Sequence, residues 1–216
     1  MSSPFDQSGY QVRFDWGIAG IDRLAASDVV VVVDVLSFST TVIDRVAAGD
    51  TVPLDERAHA VSLNGAPVAL HASEAGALVL LGGLRNARAV AEAIMAEQAR
   101  RGERTSIAVI AAGELPPAQA PGTSAAGALR FAVEDHLGAG AVIDALGVLG
   151  IDHTSPEAAA ACESFRGLRG AVRHLMTASG SGRELADAGR RDDVLHAAQL
   201  DAVTSVPRLQ DGAFRA

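Results

Sequence analysis

The sequence predicts an α/β fold built on a mostly parallel or mixed central sheet. Short apolar runs alternate along the chain with longer amphipathic stretches, as strands alternate with helices in this class. The run Val29–Val33 consists of five valines, so both faces of this strand should be covered by other elements. The chain has 216 residues without an internal repeat, and we therefore expect a single domain over residues 1–216.

The remaining elements follow from apolar periodicity and from residues that start or stop helices. We predict further strands at Pro67–Leu70, Ala77–Leu81, Thr105–Ala111 and Ala202–Val206. We predict helices at Ser39–Ala48, Ala87–Arg101, Leu129–His136, Ala139–Leu149, Gly182–Ala188 and Asp192–Leu200, and one that follows Ser155. Gly49 and Gly102 mark two helix ends, and Asn86 and Ser155 are candidate N-caps. The stretch Leu115–Ala126 is rich in Pro, Ala, Gly and Ser and predicts a surface loop.

The composition excludes several classes of protein. Hydrophobic residues make up 49% of the chain and charged residues 20%, which is typical of a globular protein. The formal net charge is −8, and so acidic a chain lacks the clustered cations that bind nucleic-acid phosphates. All 18 basic residues are arginines, which excludes a phosphate-binding loop that needs lysine and an enzyme that forms a Schiff base through lysine. Any anion must therefore be bound by arginine, backbone amides or a metal ion.

The single cysteine and the first ten residues indicate in which cellular compartment the protein is expected. The only cysteine, Cys162, excludes an internal disulfide and a zinc site with several thiolates, and its Ala-rich surroundings predict a small buried side chain. The first ten residues do not resemble a secretion signal, and no apolar run approaches ~18 residues. We therefore expect a cytoplasmic protein without a membrane partner. Its apolar, lysine-free surface is compatible with a homodimer.

An aspartate and several hydroxyl residues follow the valine strand. Asp34 comes directly after Val33. Four hydroxyl residues stand at the predicted start of the next helix: Ser37, Ser39, Thr40 and Thr41. Ligands of parallel sheets bind beyond the carboxyl ends of the strands, and helix N-termini favour oxyanions. A carboxylate beside a bound anion requires a cation between them, so this turn predicts a divalent metal ion that neutralises a phosphate. The alternative is that the hydroxyls cap the helix and that Asp34 accepts hydrogen bonds from backbone amides.

Two more acidic segments are candidates for the same cleft. The predicted strand Thr105–Ala111 is followed closely by Glu114, so a second strand also ends near a carboxylate. Glu134 and Asp135 are adjacent, and on a helix their side chains point about 100° apart, so only one of them can face the core squarely. A solvated helix face is the alternative for this pair. His136 beside it is a candidate for orienting a carboxylate, with an ordinary packing role as the alternative.

Seven short segments, in a fixed order, form a recognisable pattern. They are Arg13–Gly17, Val31–Thr41, Gly83–Ala87, Ala112–Glu114, Val133–Gly140, Ser179–Leu185 and Asp192–Val194. Through these segments the chain resembles the 2-phosphosulfolactate phosphatase family, the magnesium-dependent acid phosphatases of coenzyme M biosynthesis. Spaced matches over most of the chain are far more specific than any single one. The resemblance implies a three-layer α/β/α sandwich of the family's own type.

The resemblance also implies a reaction and the residues that carry it. Mg²⁺ would be the cofactor, and 2-phosphosulfolactate or a similar small anionic phosphomonoester would be hydrolysed to the alcohol and phosphate. The metal ligands would be Asp34, Glu114, Glu134 and Asp135, and of these Asp34, Glu134 and Asp135 are also the candidate catalytic groups. The substrate contacts would be Ser37, Ser39, Thr40, Thr41, Asn86 and Arg183. Attack by water and formation of a phosphoaspartate on Asp34 are both compatible with this set.

The chain departs from the family pattern in two places. Ser37 stands where many members have arginine, and His71–Gly76 stands where many have a threonine run followed by Asn-Gly. Fewer cationic donors beside an anion site would weaken the binding of a doubly charged phosphosulfonate. These changes motivate an alternative function, a catalytically altered member that binds an anion or a phosphorylated metabolite. For Arg183 an ion pair with Asp187 is the alternative to a substrate contact. A doubly wound nucleotide-binding domain is disfavoured because its glycine fingerprint is missing after the valine strand.

Overall fold

A mixed sheet forms the centre of the part of the chain that the structure describes. The structure, a computed structural model, describes residues 3–55, 58, 62, 64–115 and 129–216. The strands are β1 (Val12–Trp16), β2 (Val29–Val33), β3 (Val52–Pro53), β4 (Leu78–Gly82), β5 (Ile107–Ala111), β6 (Arg208–Gln210) and β7 (Ala213–Arg215). Their order in the sheet is β1-β5-β2-β4-β6-β7-β3. The first four of these are parallel, and the last three pair antiparallel along one side.

Helices cover both faces of this sheet. One layer contains α1 (Gly17–Arg23), α2 (Phe38–Ala47) and α3 (Gly65–Glu74). The other layer contains α4 (Ala87–Arg101), α5 (Val133–Val148), α6 (Pro156–Leu168), α7 (Val172–Ala178), α8 (Gly180–Asp187) and α9 (Arg191–Ala197). The valines of β2 alternate between the two, since Val31 packs with α4 and α5 while Val32 packs with α2 and α3. The predicted three-layer α/β/α sandwich with a buried valine strand is confirmed.

Several predicted boundaries agree with the structure. The helix over Ala87–Arg101 is confirmed, and Gly102 ends it in the left-handed conformation at φ +70°. Ser155 caps α6 through its hydroxyl, which accepts a hydrogen bond from the amide of Ala158. Asn86 directly precedes α4, but its side chain makes no capping hydrogen bond. Cys162 is buried in α6, as expected for a small apolar side chain.

Other predicted elements are wrong. Pro67–Leu70 is part of helix α3 and not a strand, because a short apolar run fits either element. The two helices predicted at Leu129–His136 and Ala139–Leu149, with a break at Gly138 and Gly140, are replaced by one continuous helix, α5, which contains both glycines. Ala202–Val206 contains no strand, and the last two strands lie further along the chain. The strand β1 is absent from the prediction. Residues 116–126 of the predicted loop lie outside the described residues.

The parallel strands place two acidic turns at one edge of the sheet. Val33 at the end of β2 lies opposite Ala111 at the end of β5. Asp34 and Glu114 therefore leave the sheet at the same edge, as parallel neighbours must.

Within the described residues, no helix combines the length and the apolar character that crossing a membrane requires.

Candidate active site

A cavity of about 720 Å³ lies at this edge of the sheet. Its described polar lining includes Asp34, Ser37, Thr41, Arg45, Glu114 and Ser181. These residues come from the end of β2, helix α2, the turn after β5 and helix α8. A cavity beyond the carboxyl ends of parallel strands is where α/β proteins bind ligands.

Asp34 is the buried carboxylate of this cavity. One of its oxygens accepts hydrogen bonds from the amide of Gly65 at 2.9 Å and from the hydroxyl of Ser62 at 3.4 Å. The other accepts from the amide of Phe38 at 3.3 Å. Burial and, to a smaller extent, the charge of Glu114 together raise the pKa of Asp34 to about 6, against the lowering effect of these donors. A carboxyl with a pKa near 6 can exchange a proton near neutral pH.

Asp135 lies behind the cavity wall and joins the two strand ends. Its Oδ1 accepts a hydrogen bond from the amide of Val35 at 2.7 Å, and its Oδ2 accepts from the amide of Gly113 at 2.9 Å. The carboxylate therefore holds the turns after β2 and β5 at a fixed separation. Burial raises the pKa of Asp135 well above its usual range, and the charges of Asp34 and Glu134 add to this rise.

Glu114 and Glu134 converge on one hydroxyl group. The Oγ of Ser181 lies 2.5 Å from a carboxylate oxygen of Glu134, and it also contacts a carboxylate oxygen of Glu114. A hydroxyl carries one hydrogen, so it can donate to only one of the two carboxylates at a time. The second carboxylate needs either a proton or a cation beside it. Arg130 supplies a positive charge at the other oxygen of Glu114, at 3.4 Å, but it lies on the exposed side and does not contact Glu134.

Comparison with known families identifies the family of this chain. The model of the 2-phosphosulpholactate phosphatase family matches residues 52–212, about three quarters of the chain. The chain belongs to this family. The name of the family is that of a phosphatase, a phosphoric monoester hydrolase. The matched segment includes Glu114, Glu134 and Asp135, whereas Asp34 precedes it. The comparison with curated proteins gives no match.

A magnesium ion is the cofactor that the sequence resemblance predicts, and carboxylate oxygens are ligands that it prefers. Among the described residues, no set of three or more His, Cys, Asp or Glu side chains is placed to hold a metal ion jointly. The four predicted ligands thus do not form a closed cage, because Asp34 and Asp135 direct oxygens at backbone amides. Glu114 and Glu134 do come together. Mg²⁺ commonly binds through one or two carboxylates and completes its shell with water and substrate phosphate, so this pair fits it.

The predicted hydroxyl residues divide into two groups. Ser37 and Thr41 line the cavity. Ser39 is fully buried, and its Oγ accepts a hydrogen bond from the amide of Asp34 and donates to the carbonyl of Val32. Thr40 donates its hydroxyl hydrogen to the carbonyl of Val35 at 2.9 Å. Ser39 and Thr40 therefore shape the turn after β2, and neither belongs to the described cavity lining.

Two further predicted substrate contacts lie away from the cavity. Asn86 is fully buried and bonds to the backbone of Gly83, Leu81 and Ser205. This amide fixes the chain between β4 and α4 and does not face a ligand. Arg183 is exposed on α8 and is absent from the described cavity lining. No ion pair between Arg183 and Asp187 is present among the described residues either.

His136, which follows the acid pair, and the segment His71–Gly76 both make contacts outside the cavity. His136 packs against Trp16 and Phe131, with ring centroids 6.0 and 5.2 Å away, and burial lowers its pKa. It is an aromatic packing residue. His71 lies on α3, where its Nε2 is 2.7 Å from a carboxylate oxygen of Asp22. The departure at residues 71–76 therefore faces α1 and not the described cavity lining.

Sequence reasoning missed Ser181 and Arg45. Ser181 lies in the quoted segment Ser179–Leu185, but serine in a Gly-Ser-Gly run is ordinarily interpreted as part of a turn. Arg45 could have been predicted from the sequence. Ser37, Thr41 and Arg45 stand at intervals of four residues and therefore share one face of α2. The convergence of Ser181 with Glu114 and Glu134 depends on three segments far apart in the chain and has no local signature.

Proposed function

We propose that the protein is a magnesium-dependent phosphatase that hydrolyses a small anionic phosphomonoester, 2-phosphosulfolactate or a relative of it. The observation that carries this proposal is the convergence of Glu114 and Glu134 on Ser181 beside the cavity that Asp34 lines. The family membership supplies the reaction class, and this cluster supplies residues able to perform it.

The charge of the cavity supports a metal ion. Its described lining includes the carboxylates of Asp34, Glu114 and Glu184, and the guanidinium of Arg45. An anionic phosphomonoester would be repelled from such a surface unless a cation were bound with it. Glu114 and Glu134 would hold Mg²⁺. When bound, the ion would polarise the phosphoryl group and favour attack on phosphorus.

Asp34 would carry the proton transfer. It lines the cavity, and its pKa of about 6 matches a group that takes up and releases a proton near neutral pH. The hydrogen bonds from Gly65 and Phe38 fix the orientation of its carboxylate. Asp135 would position this group indirectly, since it bonds the turn that Asp34 begins and does not line the cavity.

Ser37 and Thr41 would bind phosphoryl oxygens. Both line the cavity on the first turns of α2. The amides of Phe38 and Ser39 are already bonded to Asp34, to its side chain and its carbonyl respectively. Hydroxyl groups, and not these helix amides, are therefore the available donors, aided by the positive end of the helix dipole.

A phosphate-release assay tests this proposal. Purified protein would be incubated with 2-phosphosulfolactate and with an aryl phosphate, in the presence of Mg²⁺ and in the presence of a chelator. We expect metal-dependent release that Glu134→Gln lowers at least a hundredfold, because that carboxylate is both a proposed ligand and buried. Glu157→Gln, an exposed residue on α6, is the matched control and should retain activity.

The alternative function has a distinct outcome in the same assay. Ser37 provides a weaker anion contact than the arginine of many family members, which would favour binding without turnover. Measurable binding of the substrate together with no metal-dependent release would support an anion-binding protein and overturn the phosphatase proposal.

A further inference from the structure

Three polar side chains on one face of helix α2 line the cavity in succession. Ser37, directly before the helix, Thr41 and Arg45 stand at intervals of four residues, and all three belong to the described lining. At 1.5 Å per residue, each interval measures about 6 Å along the helix axis. The proposed reaction places the phosphate against Ser37 and Thr41. Arg45 therefore lies one helical turn beyond the second of these hydroxyl residues.

The guanidinium of Arg45 is held on one side and free at its end. Its Nε donates to a carboxylate oxygen of Asp50 at 3.0 Å. Its Nη1 and Nη2 make no hydrogen bond to any residue that the structure describes. These two nitrogens form the end of a guanidinium that binds oxyanions in a bidentate manner. The side chain is about half exposed and lines the cavity, so a ligand bound there can reach it.

Two other arginines are less well placed for a ligand in the cavity. Arg130 contacts Glu114 at 3.4 Å and lies outside the described lining, and Arg183 lies outside it as well. Glu114 and Glu184 belong to the lining and would repel an anionic group that had no cation beside it. A second anionic group of a bound substrate would therefore be stabilised at Arg45.

The distance between the two binding positions suits a small substrate. In 2-phosphosulfolactate the phosphate and the sulfonate are on adjacent carbons, so four bonds separate phosphorus from sulfur. A chain advances about 3.8 Å over three bonds, so this separation is about 5 Å. It agrees with the roughly 6 Å between Thr41 and Arg45 along α2.

We propose that Arg45 determines substrate specificity by binding a second anionic group, a sulfonate or carboxylate, about 5 Å from the phosphorus. This inference rests on the proposed phosphatase function and names the residue that selects a doubly anionic ester over a singly anionic one. The phosphate lies against Ser37 and Thr41, and the second group accepts hydrogen bonds from Nη1 and Nη2 of Arg45. Arg45 takes no part in the reaction and acts through binding alone.

Two phosphate esters that differ in one charged group test the inference. 2-Sulfoethyl phosphate has the same four bonds between phosphorus and sulfur, and propyl phosphate has a methyl group in place of the sulfonate. With Mg²⁺ present, we expect Arg45→Gln to lower kcat/KM for 2-sulfoethyl phosphate about tenfold, through KM and with kcat unchanged. The same variant should change kcat/KM for propyl phosphate less than about twofold. Arg88→Gln, an exposed arginine that is also paired with a carboxylate, is the matched control and should change neither.

Asp50→Asn distinguishes a substrate contact from a structural ion pair. This variant breaks the same ion pair but keeps the guanidinium, so its KM for 2-sulfoethyl phosphate should fall or stay within about twofold of the wild type. An increase in KM equal to that of Arg45→Gln would overturn the inference and leave the phosphatase function standing. An Arg45→Gln variant that treats the two esters as the wild type does would have the same consequence.

Binding of 3-sulfopropylphosphonate separates this inference from the phosphatase proposal. The compound keeps four bonds between phosphorus and sulfur and has a C–P bond that phosphatases do not cleave. Calorimetric binding that Arg45→Gln weakens about tenfold, without hydrolysis of either ester, would support the role of Arg45 and refute the phosphatase function. Binding that Arg45→Gln leaves at full strength would overturn the inference.

Discussion

Replacement of Gly140 by alanine should destabilise the protein strongly. Gly140 lies inside α5 where that helix contacts α6, and a Cβ atom at this position would be 2.2 Å from the carbonyl oxygen of Ala161 and 2.8 Å from the Cβ of Phe165. The nearest atom is backbone, so no flexible side chain can move away and the two helices must separate. Overpacking of this kind costs about 1–3 kcal/mol and sometimes more. A contact of 2.2 Å with a backbone atom puts the cost at the upper end of this range, about 3 kcal/mol. The helix propensity of alanine returns about 1 kcal/mol, and we therefore expect a net loss of about 2 kcal/mol.

Gly147 in the same helix supplies the control. A Cβ atom there would meet only the terminal nitrogen of Arg166, at 3.9 Å, so Gly147→Ala should stabilise the protein by about 0.5–1 kcal/mol. Urea unfolding followed by circular dichroism would measure both variants, with equal slopes required for the comparison. Midpoints of Gly140→Ala and Gly147→Ala that coincide would refute the packing argument. Because α5 begins with the acid pair, Gly140→Ala should also reduce phosphatase activity more than Gly147→Ala does.

Three further predictions concern the acidic cluster. Asp135→Ala should lower the free energy of unfolding by about 2–4 kcal/mol in a urea titration, because two buried amides lose their acceptor. This loss is partly offset because a buried charge is also removed. The control, Asp187→Ala on the exposed face of α8, should change the free energy of unfolding by less than about 0.5 kcal/mol. The pKa of Asp34 is about 6 in the folded protein and 3.8 in the unfolded chain. Between these pH values the folded, metal-free protein binds a proton that the unfolded chain does not bind. The free energy of unfolding should therefore rise by about 1 kcal/mol from pH 7 to pH 5. Asp34→Asn should lack this component, and an equal pH response of the variant and the wild type would contradict it. Ser181→Ala should weaken apparent Mg²⁺ affinity about tenfold in activity titrations because the hydroxyl positions Glu114 and Glu134, whereas Ser164→Ala on the exposed side of α6 should match the wild type.

The central sheet and the larger helices could be predicted because their signals are local. The valine strand has no polar residue in its interior, and the helix Ala87–Arg101 carries its own stop at Gly102. Gly138 and Gly140 misled the prediction because glycine is a poor helix former on average. In α5 both serve close packing, since a Cβ at Gly138 would lie 2.7 Å from Val35. That reason lies in the tertiary structure and is invisible in a short window of sequence.

The acidic residues of the site could be predicted from the sequence, but the separate role of each could not. Asp34 and Glu114 follow the ends of two neighbouring parallel strands, and such residues are expected to lie close together. The structure places them so. The sequence does not distinguish a carboxylate that faces the cavity, such as Asp34, from one that bonds two backbone amides, such as Asp135. Arg45 and Arg183 are likewise equivalent as residue types, and only the direction of the helix face separates them.

The most direct test of the account is calorimetric titration of Mg²⁺ into the metal-free protein in the presence of inorganic phosphate. We expect one ion to bind to the wild type and to the surface control Glu157→Gln, and we expect Glu134→Gln to lose at least a hundredfold in affinity because one of two carboxylate ligands is gone. Equal affinity in Glu134→Gln and the wild type, or no binding to the wild type, would show that the acids around Ser181 do not hold the ion.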